Sequence, residues 1–372
     1  MPWGKKNNDK GQMTNNDRRA WRECNGNAMS PHRSSDKCRR VLPAGKLPPW
    51  LLKPQLDRVP LGKGRVLIGP RYGDDATVID IGERLLVCTC DPITLASRQI
   101  GRYAVHINAN DVAVMGARPL WFWVTILLPE GRSDERLVEG IFSDIRAACA
   151  ELGIELCGGH TEITAGLTRP ILSGFMAGEA ERARLADKKT VRPGDDIILS
   201  RGIAIEGTAT IASEQPERLV SLDPDLVRRA RGFLSDPGIS VVREALLAVE
   251  TAEVHGMHDP TEGGLFTGVR ELAETAGVGL EIAGDQIHVL PETTAICALL
   301  GLDPMGLLAS GSLIVVCDQG SSRKILRAYR EKQIPARIIG RIEERRFGIM
   351  LRDERGLIPL PEYERDEITK II

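Results

Sequence analysis

The chain has 372 residues, of which 42% are hydrophobic, and its 49 basic and 51 acidic side chains give a formal net charge of −2. This length predicts roughly two domains whose cores need no disulfide or metal cross-links, and the balanced charge excludes a general attraction to nucleic acid or anionic membranes. The longest apolar stretch, Trp121 to Leu128, is far shorter than the ~20 residues of a membrane-spanning helix.

Residues 1–40 differ in composition from the rest of the chain. They are rich in Asn, Lys, Arg and Ser, show no apolar periodicity, and carry ten basic and four acidic side chains, a charge of +6 (10 − 4). This composition is typical of a flexible tail, and a basic arm that contacts a polyanion is the alternative.

Strands and helices are predicted to alternate from residue 41 onward. A helix over 100–115 is expected to end at Gly116, with Pro119 just beyond it. A second helix is expected to begin after Ser133, its predicted N-cap. The predicted strands of this half are 66–69, 76–81, 84–90, 121–128, 154–157 (ending at Gly158-Gly159) and 171–177.

A charged, irregular stretch over 179–194 is the predicted domain boundary. The second half is predicted to contain strands at 197–200, 279–282, 313–317 and 336–339, with helices at 207–213, 224–234, 241–250 and 265–275. The fold class is therefore α/β (α+β), with domains at 41–185 and 186–372 behind the tail.

The eight cysteines are scattered and include no CxxC pair, so neither zinc spacing nor a disulfide framework is indicated. Six of them lie in apolar segments, where a reduced cysteine behaves as a small hydrophobic residue. The N-terminus carries no hydrophobic signal segment. We therefore expect a cytoplasmic protein with reduced thiols.

No P-loop and no GxGxxG fingerprint is present in the sequence, but acidic residues recur at strand ends and in Gly-flanked turns. Each of these acidic residues, taken alone, is equally typical of an ordinary turn or helix start. Hard carboxylates without clustered Cys or His favour Mg²⁺. The residues are Asp74, Asp75, Asp91, Asp111 (beside Asn110), Asp259 and Glu262.

Glycine-containing pairs complete the predicted site. Gly158-Gly159, Gly263-Gly264 and Gly207-Thr208 would let backbone N–H groups approach phosphate oxygens closely. His160 either contacts a phosphate or the substrate, or caps its turn. His255 and His258 stand three apart beside Asp259, and a structural or substrate role is expected for them rather than metal ligation. Together these residues predict a phosphate–Mg²⁺ site.

Six motifs carry a family resemblance. They are Gly-Asp-Asp-Ala at 73–76, Asn-Asp-Val-Ala-Val-Met-Gly-Ala at 110–117, Gly-Gly-His-Thr at 158–161, Gly-Asp-Asp at 194–196, Glu-Gly-Thr-Ala at 206–209 and Asp-Pro-Thr-Glu-Gly-Gly-Leu at 259–265. These motifs occur in the same order as in the AIR synthase (PurM) superfamily, which the chain resembles over residues 41–345. That superfamily includes HypE-type hydrogenase maturation factors, selenide–water dikinase and thiamine-monophosphate kinase.

The resemblance implies a two-domain PurM-like fold in which the N-terminal domain dimerises through its sheet. An ATP site would lie in the cleft near the dimer interface, with Asn110 and the turn from Gly158 to Thr161 at the nucleotide. Asp74, Asp75, Asp91 and Asp111 would bind Mg²⁺ and phosphate, and Asp259 and Glu262 would face the cleft. Asp91, His160, Asp259 and Glu262 are the predicted catalytic residues.

The family chemistry is phosphorylation of a poorly reactive oxygen by ATP, and the motif set is most similar to the HypE-like branch. HypE-type enzymes carry their substrate on a C-terminal cysteine, whereas this sequence closes on Glu367 to Ile372, so self-carried carbamoyl dehydration is not expected. The substrate is left unidentified, and a maturation partner protein is a further expectation. The alternatives are a kinase similar to thiamine-monophosphate kinase and a non-catalytic ATP-binding partner protein.

Overall fold

The computed structural model describes residues 42, 45–60, 62 and 64–371. The tail predicted over residues 1–40 lies outside the described residues. Within them the chain forms nine α-helices and fourteen strands. None of these helices is long and apolar enough to cross a membrane.

The helices are α1 Pro49–Leu56, α2 Ile100–Val114, α3 Glu135–Leu152, α4 Ile205–Glu214, α5 Pro224–Gly232, α6 Val242–Thr251, α7 Gly264–Ala276, α8 Pro291–Leu300 and α9 Gln319–Glu331. The strands are β1 Val66–Ile68, β2 Thr77–Asp80, β3 Leu85–Thr89, β4 Pro92–Ile93, β5 Arg118–Pro129, β6 Glu155–Thr164, β7 Ile171–Ala180, β8 Asp196–Ser200, β9 Gly256–His258, β10 Gly279–Ala283, β11 Ile314–Cys317, β12 Ala336–Glu343, β13 Ile349–Asp353 and β14 Gly356–Pro359.

The first sheet runs in the order β1-β2-β3-β7-β5-β6, with β4 paired to β7. The long strand β5 is antiparallel to β7 and parallel to the edge strand β6. Helix α2 packs against β7, β5 and β3 and is buried at almost every position, because its residues are small or apolar on nearly all sides. At Gly101 a Cβ would lie 2.6 Å from the Ile141 carbonyl oxygen, so glycine is what lets α2 approach α3 closely.

The second sheet runs in the order β14-β13-β10-β12-β8-β11-β9. Its strand β11, Ile-Val-Val-Cys, is buried at every position. The edge strand β9 pairs antiparallel with β11. It also contacts α2, the helix that packs against the first sheet. This contact brings the end of β9 next to the residues carried by α2.

Most predicted elements are present with shifted ends, and two predictions are wrong. The strand predicted to stop at Gly158-Gly159 continues to Thr164, because residues 158–164 pair in register with β5. A Cβ at Gly159 would lie 1.9 Å from the Val124 carbonyl oxygen, so this glycine serves strand pairing. Asp134, rather than Ser133, caps α3 through the Leu137 N–H. Helices α1, α8 and α9 and strands β4, β9, β13 and β14 were not predicted.

Candidate metal and phosphate site

Four aspartates from both halves of the chain lie close enough to interact electrostatically, and we call them the acidic cluster. They are Asp75 before β2, Asp91 after β3, Asp111 on α2 and Asp259 after β9. One ligand atom each of Asp75, His258 and Asp259 lie within 4.8 Å of one another. Folding therefore assembles this cluster from positions up to 184 residues apart (259 − 75) in the sequence.

Asp111 is held in place by a threonine at the end of β3. The Thr89 hydroxyl donates to Asp111 Oδ2 at 2.9 Å and lies 3.1 Å from the Asp75 carbonyl oxygen. Burial, followed by the charges of Asp91, Asp259 and Asp75, raises the pKa of Asp111 well above its usual range. A buried carboxylate among like charges favours either a proton or a metal cation.

Asp259 is a buried carboxylate suited to binding a cation. It is only 1% exposed, and neither carboxylate oxygen has a hydrogen-bond partner among the described residues. Burial, together with the charge of Asp75, raises its pKa to about 8. A buried, unpartnered carboxylate is costly, and the all-oxygen donor set of the acidic cluster suits a hard divalent cation such as Mg²⁺. The residues present thus fit the metal that the family resemblance implies.

Asp75 is the centre of a buried charge network. The Lys188 ammonium donates to Asp75 Oδ2 at 2.7 Å and to the Gly73 carbonyl oxygen at 2.5 Å. His258 Nδ1 donates to Asp75 Oδ1 at 2.8 Å, and its Nε2 lies 3.4 Å from Glu271 Oε2. Although burial opposes ionisation of Asp75, the charges of His258 and Lys188 hold its pKa below the usual range.

The carboxylate of Asp75 favours the protonated form of His258. Burial alone would lower the pKa of its imidazole, but Asp75 raises it to about 9. Glu271 shows the opposite shift, because the neighbouring His258 and the charge of Lys46 outweigh burial and lower its pKa to about 2. The Nδ1 of His258 bonds Asp75 and its Nε2 faces Glu271, an arrangement that suits His258 to orienting Asp75.

Lys46 lies at the open side of the site. Its backbone N–H donates to Glu262 Oε2 at 3.1 Å, and its half-exposed ammonium reaches Glu271 Oε1 at 3.4 Å. Asp91 is also exposed, whereas Asp111 and Asp259 are buried. A ligand would therefore enter past Lys46 and Asp91.

Asp91 is positioned by a buried amide on α2. Its backbone N–H donates to Asn108 Oδ1 at 2.9 Å, and Asn108 Nδ2 donates back to the Asp91 carbonyl oxygen at 3.2 Å. Gly174 packs directly against the Asn108 amide, since a Cβ at this position would lie 2.4 Å from Asn108 Nδ2.

Replacing Gly174 with alanine is expected to weaken Mg²⁺ binding about 10-fold, because displacing Asn108 moves Asp91. The overpacking should also cost about 1–3 kcal/mol of unfolding free energy. Titration calorimetry and urea unfolding measure the two effects. Gly140, on the exposed face of α3 with nothing within 4 Å of its Cβ position, provides the control G140A, which should bind Mg²⁺ normally. Equal Mg²⁺ affinities for the two variants would contradict the role of Asn108.

Several predicted site residues have other partners in the structure. The carboxylate of Asp74 accepts from Arg71 Nε at 2.5 Å. The Asn110 amide binds the backbone of Ile239 and Val241, and so fastens that segment to α2.

In the second half, the Gly207 N–H donates to the Leu308 carbonyl oxygen. The Thr208 hydroxyl bonds the Thr293 hydroxyl in the core at 2.7 Å. Neither group is free to contact a phosphate.

The 158–161 segment is strand rather than turn. Gly158, Gly159, His160 and Thr161 are exposed on the edge strand β6. His160 Nε2 lies 3.2 Å from Glu162 Oε2, and its side chain is 66% exposed. Among the described residues of one chain, no hydrogen bond or ion pair joins His160 to the acidic cluster.

Sequence reasoning missed Lys46, Asn108, Lys188 and Glu271 as site residues. Lys188 reads in the sequence as part of a charged linker, and Lys46 precedes a proline pair. Asn108 could have been found by the signal that singled out Asn110, a polar residue in an apolar helix. The other three belong to no motif, and only their contacts reveal them.

Two family models match most of the chain. The AIR synthase related protein, N-terminal domain, matches residues 73–180, and the AIR synthase related protein, C-terminal domain, matches residues 192–352. A putative hydrogenase expression/formation protein of Methanocaldococcus jannaschii is 30% identical over 294 residues, covering 76% of this chain and 84% of the relative. The carbamoyl dehydratase HypE of Cupriavidus necator is 30% identical over 302 residues, covering 78% and 80%.

The fold has solved counterparts. A crystal structure of the hydrogenase maturation protein HypE in complex with ATP superposes with a TM-score of 0.65 at 24% identity, covering 84% of this chain and 91% of that chain. At this identity the likeness concerns the fold. It confirms the expected α/β architecture with two PurM-like halves.

Proposed function

This chain belongs to the AIR synthase-related protein family, with HypE-like relatives, and we propose on that premise that it is an ATP- and Mg²⁺-dependent enzyme. It activates an oxygen of a small-molecule or protein-borne group by phosphorylating it. The observation that carries the proposal is Asp259, a buried carboxylate whose two oxygens have no hydrogen-bond partner among the described residues and which lies near Asp75 and Asp111 from the first half of the chain.

The acidic cluster would hold the metal. When bound, Mg²⁺ neutralises charge on the phosphate oxygens during transfer. Asp111 and Asp259 would offer it carboxylate oxygens, and a bound cation would favour their anionic forms, which burial and the neighbouring carboxylates disfavour. Lys188 and His258 hold Asp75 in one orientation from two sides.

The residues at the open side of the site would orient the substrate. The backbone N–H of Lys46 bonds Glu262 and its ammonium bonds Glu271, at a place where the ammonium would meet an incoming phosphate. Glu262, on the turn after Asp259, is the carboxylate we assign to the substrate oxygen. Bound geometry and charge supply most of the rate in this chemistry.

The test is ATP turnover by the purified chain with Mg²⁺, with ADP, AMP and free phosphate measured separately. Release of ADP and phosphate, stimulated by a fraction of a metabolite pool or of cell protein, supports activation through a phosphorylated intermediate. ADP with phosphate retained on a small molecule supports the kinase alternative. Tight ATP binding without turnover under all additions supports the non-catalytic partner protein, and absence of ATP binding overturns all three.

We also propose a homodimer formed through the first sheet, in line with the family resemblance. Strand β6 is an edge strand exposed along nearly its whole length, and such an edge has unpaired backbone groups that favour pairing. Its Ile163 is 58% exposed, and Phe175 on β7 is 39% exposed. In a dimer, His160 on β6 would be placed at the interface. The relatives' role in hydrogenase expression makes a maturation partner protein a reasonable further ligand.

Replacing Ile163 with aspartate is expected to weaken dimerisation at least about 10-fold, because a charge would be buried at the interface. Sedimentation over a concentration series measures this effect. V220D is the control, since Val220 is 83% exposed and lies on a different segment, after β8. A monomeric wild-type protein, or equal dimer affinities for the two variants, would contradict the proposed interface.

A further inference from the structure

The turn between β9 and α7, residues 259–264, carries Asp259 and Glu262 on a backbone with little freedom. Gly263 and Gly264 both have left-handed φ angles, of 83° and 68°. A Cβ on Gly264 would lie 2.4 Å from the Met305 carbonyl oxygen. The Thr261 carbonyl oxygen accepts from the Gly264 and Ala309 N–H groups. The turn is thus tightly enclosed.

Helix α7 begins at this turn, and its N-cap residue makes no side-chain capping hydrogen bond. Its N-cap is Gly263, which has no side chain to accept a hydrogen bond from the first-turn N–H groups. The partial positive charge at a helix N-terminus favours an anion there. Local sequence therefore leaves this end of α7 in need of an acceptor.

Asp366, 103 residues further along the chain, supplies that acceptor. Its Oδ2 accepts from the Gly263 N–H at 2.7 Å, and its Oδ1 accepts from the Ile368 N–H at 2.8 Å. The residue is 5% exposed.

The segment 366–371 is anchored independently of the turn. Ile368 is fully buried and Ile371 is 8% exposed in a core formed with α4, α5 and α8. Glu367 Oε2 accepts from the Asp303 N–H at 3.0 Å, and Glu367 is paired with Lys370.

We infer that segment 366–371 is a positioning element of the metal site and that Asp366 is its positioning residue. By holding the Gly263 N–H, Asp366 fixes the turn that presents Asp259 and Glu262, although it supplies no atom to the ligand itself. This inference rests on the proposed function, because it assigns a supporting residue to the same site. Residues that orient metal ligands in this way typically change metal affinity when replaced.

The experiment compares D366N with E367Q in the full chain, using Mg²⁺ alone as the probe in titration calorimetry. In D366N an amide group replaces one acceptor oxygen, so Mg²⁺ binding should weaken about 10- to 100-fold. E367Q disturbs the same segment through Asp303 and Lys370 but not the turn, and should bind Mg²⁺ within about twofold of wild type. Thermal midpoints of both variants separate loss of folding from loss of positioning.

Equal Mg²⁺ affinities for D366N and wild type would overturn the inference, as would an equal loss in E367Q. If wild type itself binds no Mg²⁺, the proposed function fails instead. A measurement on wild type covers the case in which D366N does not fold. The Gly263 amide should then exchange with solvent as slowly as core amides, and exchange at the rate of an exposed loop would overturn the inference.

Discussion

Replacing Asp259 with asparagine (D259N) is expected to lower kcat/KM for Mg²⁺-dependent ATP turnover about 1000-fold. On the proposed function, the variant would remove a charged metal ligand that has no substitute at that position, and a bound metal supplies several kcal/mol of transition-state stabilisation. A 1000-fold loss corresponds to about 4 kcal/mol. Steady-state kinetics with Mg²⁺ in excess measure the loss.

The matched control is D285N. Asp285 is exposed and bonds only its neighbour Gln286 among the described residues. It should retain wild-type kinetics. If D259N turned over ATP as fast as D285N, Asp259 would not belong to the site.

The same D259N change should make the metal-free protein more stable. Asp259 has a folded-state pKa raised to about 8, against an ordinary value of 3.8. Between these values the folded state binds more protons than the unfolded chain, so wild-type stability falls as pH rises from about 4 to 8. Asparagine removes this penalty, which is on the order of a few kcal/mol at pH 8.

Urea unfolding with chelator at pH 4 and pH 8 tests the direction of this pH dependence of the unfolding free energy. The stability advantage of D259N should be small at pH 4 and largest at pH 8. Added Mg²⁺ should then stabilise the wild type and not D259N. An advantage that grew toward low pH would contradict the assignment of a protonated, metal-free Asp259.

Replacing Lys188 with methionine (K188M) is expected to destabilise the protein by about 3 kcal/mol and to reduce turnover. Lys188 is 2% exposed, and its ammonium satisfies both Asp75 and the Gly73 carbonyl oxygen. Removing one partner of a buried ion pair leaves the other charge without compensation. His258 still faces Asp75, which places the expected loss at the lower end of the range for buried pairs.

K189M is the control for this variant. Lys189 is the next residue along the chain, and it is exposed. Its replacement should change the unfolding free energy by less than about 0.5 kcal/mol. Similar urea midpoints for K188M and K189M would show that the Lys188–Asp75 pair does not support the site.

The sequence predicted individual strands and helices best where periodicity was strong. The elements that became β5, β7, α2 and α3 have long apolar or amphipathic patterns, and they were placed to within a few residues. Strand β6 was predicted too short because Gly158-Gly159 normally signals a turn. Pairing with β5 overrides that signal, and a Cβ at Gly159 would in fact collide with β5.

The sequence by itself determined which carboxylates are candidates for the site, because Asp91 ends a predicted strand, Asp111 interrupts an apolar helix, and Asp75 and Asp259 stand in glycine-flanked turns. Only the tertiary structure decided how each is used. It pairs Asp75 with Lys188 and His258, gives Asp259 no hydrogen-bond partner within the part of the chain that the structure describes, and commits the Asn110 amide to the backbone. The physical reason is that charge interactions and hydrogen bonds depend on distances across the fold, whereas a motif records only spacing along the chain.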